Sequence, residues 1–192
     1  MKRAFIGIDL DTRRLAWCAR QEGKVVGCAC VDRVNGRGEV LPMYDGAVGA
    51  LFRRAAQVDA VVYVEGAYLR YQAGGQGGRG SVAVFGALER VQGEIRVHAR
   101  GAGLRLFEVA PSEWQRALLG VHEGYEAMKE DSVSRALGAL GPVLGREPNH
   151  HEADAFHVAR FAEKFHGKRL AAMGGEQLVF AGSTEEAMSH GS

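Results

Sequence analysis

RAFIGIDL (3–10), RRLAWCAR (13–20) and KVVGCACV (24–31) follow one another closely, parted only by Asp11-Thr12 and by Gln21-Glu22-Gly23. Each run is short, apolar-rich and bounded by turn residues, and each break is of turn length. The spacing predicts three strands in an antiparallel meander. Two later runs have the same character. AVVYV (60–64) is a continuous apolar run bounded by Asp59 and Gly66, as expected of a central strand covered on both faces. LRLFEV (104–109) predicts a fifth strand.

Between and after these runs the apolar period changes from two to nearly four. Val48, Leu51, Phe52 and Ala55 predict a helix over 45–57; Val84, Phe85, Leu88, Val91 and Ile95 predict another after the glycine-rich stretch AGGQGGRG (73–80). Pro111 opens PSEWQRALLG, in the first turn where its missing N–H costs nothing. Further helices are expected over about 126–140 and 151–167, with a loop over 141–149 between them. The order βββαβαβααα is an α/β pattern of the ribonuclease H type: a five-stranded mixed sheet flanked by helices. One domain over 1–170 and a loose tail over 171–192 are the expected organisation.

The 192 residues carry 24 Lys+Arg against 23 Asp+Glu, a net charge of +1, which argues against a globally basic DNA-coating protein. The balance hides an asymmetry, since residues 66–106 hold six arginines against Glu89 and Glu94. Arginine's planar fork suits phosphate oxygens, although composition bias yields the same count. No run of about 18 apolar residues is present, so no membrane span is expected. Asp9 arrives too early for a secretory leader. Cys18, Cys28 and Cys30 form neither a CxxC pair nor an even set. A disulfide scaffold is therefore not expected, and a reducing cytoplasm is.

Three acids stand at positions that the apolar pattern should carry toward the core. Asp9 follows FIGI, Glu65 follows AVVYV, and Asp154 lies in HHEADAFHVARF among Ala155, Val158 and Ala159. Singly, each reads more readily as a solvated strand end or helix face. Jointly, two strand-end carboxylates and a helix carboxylate suit one hard divalent cation such as Mg2+ or Mn2+. His151 precedes Asp154 by three residues and shares its helix side.

At these positions the sequence resembles the RuvC family of Holliday junction resolvases. FIGIDLDTRRLAWCAR resembles the family's opening strand, VYVEGAYLR its second motif, EVAPSEWQRALLG the strand and helix that follow, and HHEADAFHVA its last motif. Two departures stand out: Asp11-Thr12 replaces a small Gly/Ser turn, and Lys129 in K-E-D-S-V sits one residue further from the valine than the family's lysine does. The resemblance implies a homodimeric, metal-dependent endonuclease. It would nick two opposing strands of a four-way DNA junction symmetrically, leaving 5′-phosphate and 3′-hydroxyl ends. It implies Asp9, Glu65, His151 and Asp154 as ligands of two Mg2+ or Mn2+ ions about 4 Å apart, and Lys129 as a catalytic cation. Tyr68 would stack on an unpaired base at the crossover, with Arg70, Arg79 and Arg90 on phosphates. A related nuclease of this fold, acting on other branched DNA or RNA–DNA hybrids, would use the same acids.

Overall fold

The computed structural model describes residues 3–66 and 79–172, with side chains in the helix opening at residue 79 described from residue 85 onward. Five strands, β1 (Phe5–Leu10), β2 (Arg14–Gln21), β3 (Lys24–Asp32), β4 (Val61–Glu65) and β5 (Leu106–Val109), form one sheet in the order β3-β2-β1-β4-β5. β1–β2–β3 is the expected antiparallel meander, while β4 runs parallel to β1 and β5 parallel to β4. The helices are α1 (Pro42–Gln57), α2 (Arg79–Gly101), α3 (Pro111–Leu118), α4 (Tyr125–Leu144) and α5 (His150–Ala172). This is the mixed five-stranded sheet flanked by helices that the element order predicted.

The period-two alternation sorts side chains between two helix layers. Ile6, Ile8, Leu15, Val62 and Val64 pack against Val48 and Phe52 of α1 and Ile95 and Ala99 of α2. The alternate residues face α3, α4 and α5. Val61, Tyr63 and Val109 meet Trp114, Met128, Val158 and Phe161, and Ala16 and Cys18 meet Ala136, Leu140, Ala155 and Ala159. All three cysteines are free thiols. Among the described residues no helix is long and apolar enough to cross a membrane.

α5 rests closely on the centre of the sheet because that part of the interface is built from small residues. A Cβ placed on Gly7 would come within 3.0 Å of three backbone atoms of α5: the Ala159 nitrogen, the Ala155 oxygen and the Val158 carbonyl carbon. Only glycine permits this approach. The helix is fixed at its start by a reciprocal cap. Asn149 Oδ1 accepts from the Glu152 N–H at 2.9 Å, and Glu152 Oε2 accepts from the Asn149 N–H at 2.9 Å. Glu152, fully buried, also receives Arg146 through two bonds of 2.6 and 2.8 Å. Two turns from its end, Glu163 takes the buried Arg20 of β2 at 2.9 Å.

The structure corrects several boundaries, with α5 running on to Ala172 where its end was expected at about residue 167. α1 begins three residues earlier than the apolar spacing suggested, with Pro42 in its first turn. α4 runs on to Leu144 with Pro142 inside it, where a loop was expected from residue 141. Pro142 has no N–H for the Gly138 carbonyl, so the last turn of α4 keeps its helical path without that bond. Gly145 then ends the helix in the left-handed region at φ 68°, its N–H bonded to the Gly141 carbonyl at 2.8 Å.

Candidate active site

Asp9 shares the parity of Phe5 and Gly7, so β1 turns it toward the α5 layer, where it is 7% exposed. In the parallel pairing of β1 and β4, Ile8 stands opposite Val64. The next step of that register sets Asp9 beside Glu65, on strands about 4.8 Å apart. Glu65 shares the parity of Val61 and Tyr63 and so faces the same layer; its Oε2 accepts from Trp114 Nε1 at 2.8 Å. α5 contributes the other half. His151 Nδ1 lies 2.7 Å from Asp9 Oδ2, and its Nε2 lies 3.7 Å from Asp11. Asp154 accepts from Ser132 Oγ of α4 at 2.7 Å.

The electrostatics follow from crowding acids in a partly dry place. Burial, followed by the charge of Asp9, pushes Asp154 up to about 7, although Ser132, His151 and Lys129 pull the other way. His151 is held above its ordinary value by its bond to Asp9, against burial, with the charges of Asp9 and Asp11 adding to the effect. His150, whose ring centroid is 3.9 Å from that of His151, is shifted down by burial and then by the His151 charge. Lys129 of α4 lies 4.5 Å from the Tyr125 ring centroid. Burial opposes its charge, but its hydrogen bond to Tyr125 and the charges of Tyr125, Glu126 and Asp154 outweigh that and raise its pKa.

In the protein alone, the imidazole of His151 and the proton retained on Asp154 offset charge that a divalent cation would offset more strongly. Three carboxylates and an imidazole, with Asp154 pushed up first by burial and then by the Asp9 charge, are a donor set that fits Mg2+ or Mn2+ in kind. They are not a closed chelate: among the described residues no three His, Cys, Asp or Glu side chains gather into a ready-made metal site. The named protein partners explain this, since Asp9, Glu65 and Asp154 are each drawn to a different one: His151, Trp114 and Ser132.

Of the residues expected to meet DNA, Tyr68 and Arg70 lie outside the described residues. Arg79 opens α2 but its side chain is not described. Arg90 is exposed, its Nε donating to the Gly86 carbonyl at 3.3 Å. Sequence reasoning passed over Gly7, Trp114 and Ser132. Nothing in a one-dimensional pattern sets an indole or a buried hydroxyl beside an acid. The N-x-x-E cap at 149–152 was legible and marks where α5 starts.

No protein-family model matches the chain, and no curated protein matches it by sequence. Solved structures do. A Thermus thermophilus RuvC structure aligns over 86% of this chain and 96% of its own, with a TM-score of 0.57 at 18% identity. T. thermophilus RuvC in complex with a Holliday junction substrate aligns over 89% and 96%, with a TM-score of 0.59 at 20% identity. The chain has the RuvC-type, ribonuclease H-like fold over most of its length.

Proposed function

We propose that this chain is a metal-dependent endonuclease that resolves four-way DNA junctions by paired symmetric nicks, leaving 5′-phosphate and 3′-hydroxyl ends, and that it acts as a homodimer. The observation that carries the reading is the convergence of Asp9, Glu65, His151 and Asp154 from β1, β4 and α5 onto one face of a RuvC-type sheet. Asp9 is buried and Glu65 and Asp154 are half-buried on that face, each held by its own partner, His151, Trp114 and Ser132. The solved RuvC bound to a Holliday junction supports the substrate.

Asp9, Glu65 and Asp154, with His151, would hold Mg2+ or Mn2+, two ions per site. Bound there, the cations supply positive charge that favours an ionised attacking water and the departing 3′ oxygen. The protein's own groups do the rest. Asp154, whose carboxyl burial and the Asp9 charge push up to about 7, would serve as a ligand in its ionised form. His151, bonded to Asp9, keeps that carboxylate in one orientation and holds a proton beside it. Lys129 remains charged next to Asp154 and is the cation on hand for the negative charge that builds on the phosphate during displacement. Tyr68 supplies a stacking face for an unpaired base, and Arg70, Arg79 and Arg90 supply phosphate contacts.

The test is a labelled synthetic four-way junction with Mg2+ or Mn2+, run beside Asp9→Asn and a matched linear duplex. Paired nicks confined to the junction and lost in the variant are expected. Cleavage of flaps or hybrids instead would overturn the substrate and keep the metal site. Junction binding without cutting would overturn the enzyme.

A further inference from the structure

Trp114, Ser132 and His157 are fully buried, yet each aims a polar atom within the same small region. Trp114 donates its indole N–H to Glu65 at 2.8 Å. Ser132 donates its hydroxyl to Asp154 at 2.7 Å. His157 lies between them. Its ring stacks on Trp114, with centroids 5.9 Å apart and planes 9° from parallel, and its Nε2 bonds the Ser132 main-chain carbonyl at 3.0 Å. A carbonyl only accepts, so Nε2 carries the proton and Nδ1 is left with a lone pair. Nδ1 has no hydrogen-bond partner among the described residues. Leucine or phenylalanine would fill this space without such a debt. The geometry traces one continuous path, Glu65 to Trp114 to His157 to Ser132 to Asp154.

We infer that Trp114 and Ser132, joined through His157, are positioning residues that fix where Glu65 and Asp154 stand relative to Asp9, and thereby set the site's affinity for divalent cations. This rests on the metal-nuclease reading above and adds to it the part of the protein that holds the acids apart. Glu65 ends a strand and Asp154 sits on a helix, so backbone alone does not fix the distance between their oxygens. Partners that orient ligating groups typically change metal affinity 10–100-fold when removed.

Two measurements test it. With only two tryptophans, 15N-labelled protein gives two indole N–H signals, and Trp114→Phe identifies which belongs to Trp114. The Trp114 signal is expected to move on Mg2+ titration and on Glu65→Gln, and its Mg2+ response is expected to vanish in Glu65→Gln. Calorimetric Mn2+ titration of Trp114→Phe and Ser132→Ala is then expected to give at least tenfold weaker binding with retained cooperative melting. Trp114→Phe should add nothing further in a Glu65→Gln background. If Trp114→Phe does not fold, Ser132→Ala and the wild-type indole signal carry the test. A wild type that binds Mn2+ and nicks junctions, together with folded variants of wild-type Mn2+ affinity, overturns the positioning role and leaves the nuclease standing. A wild type that binds no Mn2+ and whose indole signal does not respond to Mg2+ overturns both.

Discussion

Gly7→Ala adds one methyl group at the tightest point between the sheet and α5. Ordinary van der Waals contact begins at 3.4 Å, and the most distant of the three backbone atoms facing the new Cβ, the Val158 carbonyl carbon, would stand at 2.8 Å. α5 must therefore retreat by at least 0.6 Å, and by more to clear the other two. Backbone on both sides leaves no flexible side chain to absorb the move. Overpacking of this kind costs about 1–3 kcal/mol, and for a domain of this size roughly 2–4 °C in Tm per kcal/mol. The functional effect should exceed the stability effect. His151 and Asp154 ride on α5 while Asp9 does not, so the 2.7 Å His151–Asp9 contact opens toward the limit of a hydrogen bond. Displacements of about 1 Å in a catalytic constellation cost up to about 100-fold in rate. Junction cleavage measured well below the variant's Tm should thus fall by roughly 10–100-fold, with Mn2+ binding weakened in parallel. Wild-type Tm together with wild-type cleavage would show that α5 is not held where the geometry sets it.

Other outcomes follow from the same structure. Asp154 stays protonated in the folded protein up to about 7, whereas an unfolded aspartate ionises near 3.9. The native state then binds the extra proton, and stability falls as pH rises between about 4 and about 7. His157, pushed down to about 4 by burial, contributes with the opposite sign over much of that window. The readout is therefore the urea-unfolding difference between wild type and Asp154→Asn in chelator, which should decline by at most about 1.4 kcal/mol per pH unit and level off above 7. Asn149→Ala removes the cap of α5 and should cost about 1 kcal/mol in chemical denaturation. Cys18, fully buried with its thiol pKa pushed up by its bond to Cys28 and by burial, should resist a thiol reagent until urea is added, while Cys28 and Cys30 react in the native protein. Three fast thiols would contradict the register of β2 and β3.

The order and type of all ten elements were legible because each strand and helix keeps its own apolar period. Asp9 and Glu65 stood out as candidates because an acid closing an apolar run is conspicuous, and His151 and Asp154 because they share one side of the last helix. What the sequence hid depends on contacts between distant segments. Gly7 looks like any strand glycine until Ala155 and Ala159 arrive, 148 and 152 residues later. Trp114 reads as the apolar anchor of a short helix, which it is, and only the fold turns its N–H toward Glu65. The end of α4 was set too early, at about residue 140, because GPVLG (141–145) has the composition of a loop.

The split of the site between an early strand and a late helix also bears on when activity can arise. Asp9 and His151 are 142 residues apart, so their meeting is among the longest loop closures available to this chain, and such pairings form late and slowly. At synthesis rates of about 5–20 residues per second, the first strand is in place many seconds before its partner helix exists. A growing or truncated chain that stops short of residue 151 has two of the acids and no scaffold to bring them their complement. The constellation of Asp9, Glu65, His151 and Asp154 is completed only as α5 closes on the sheet.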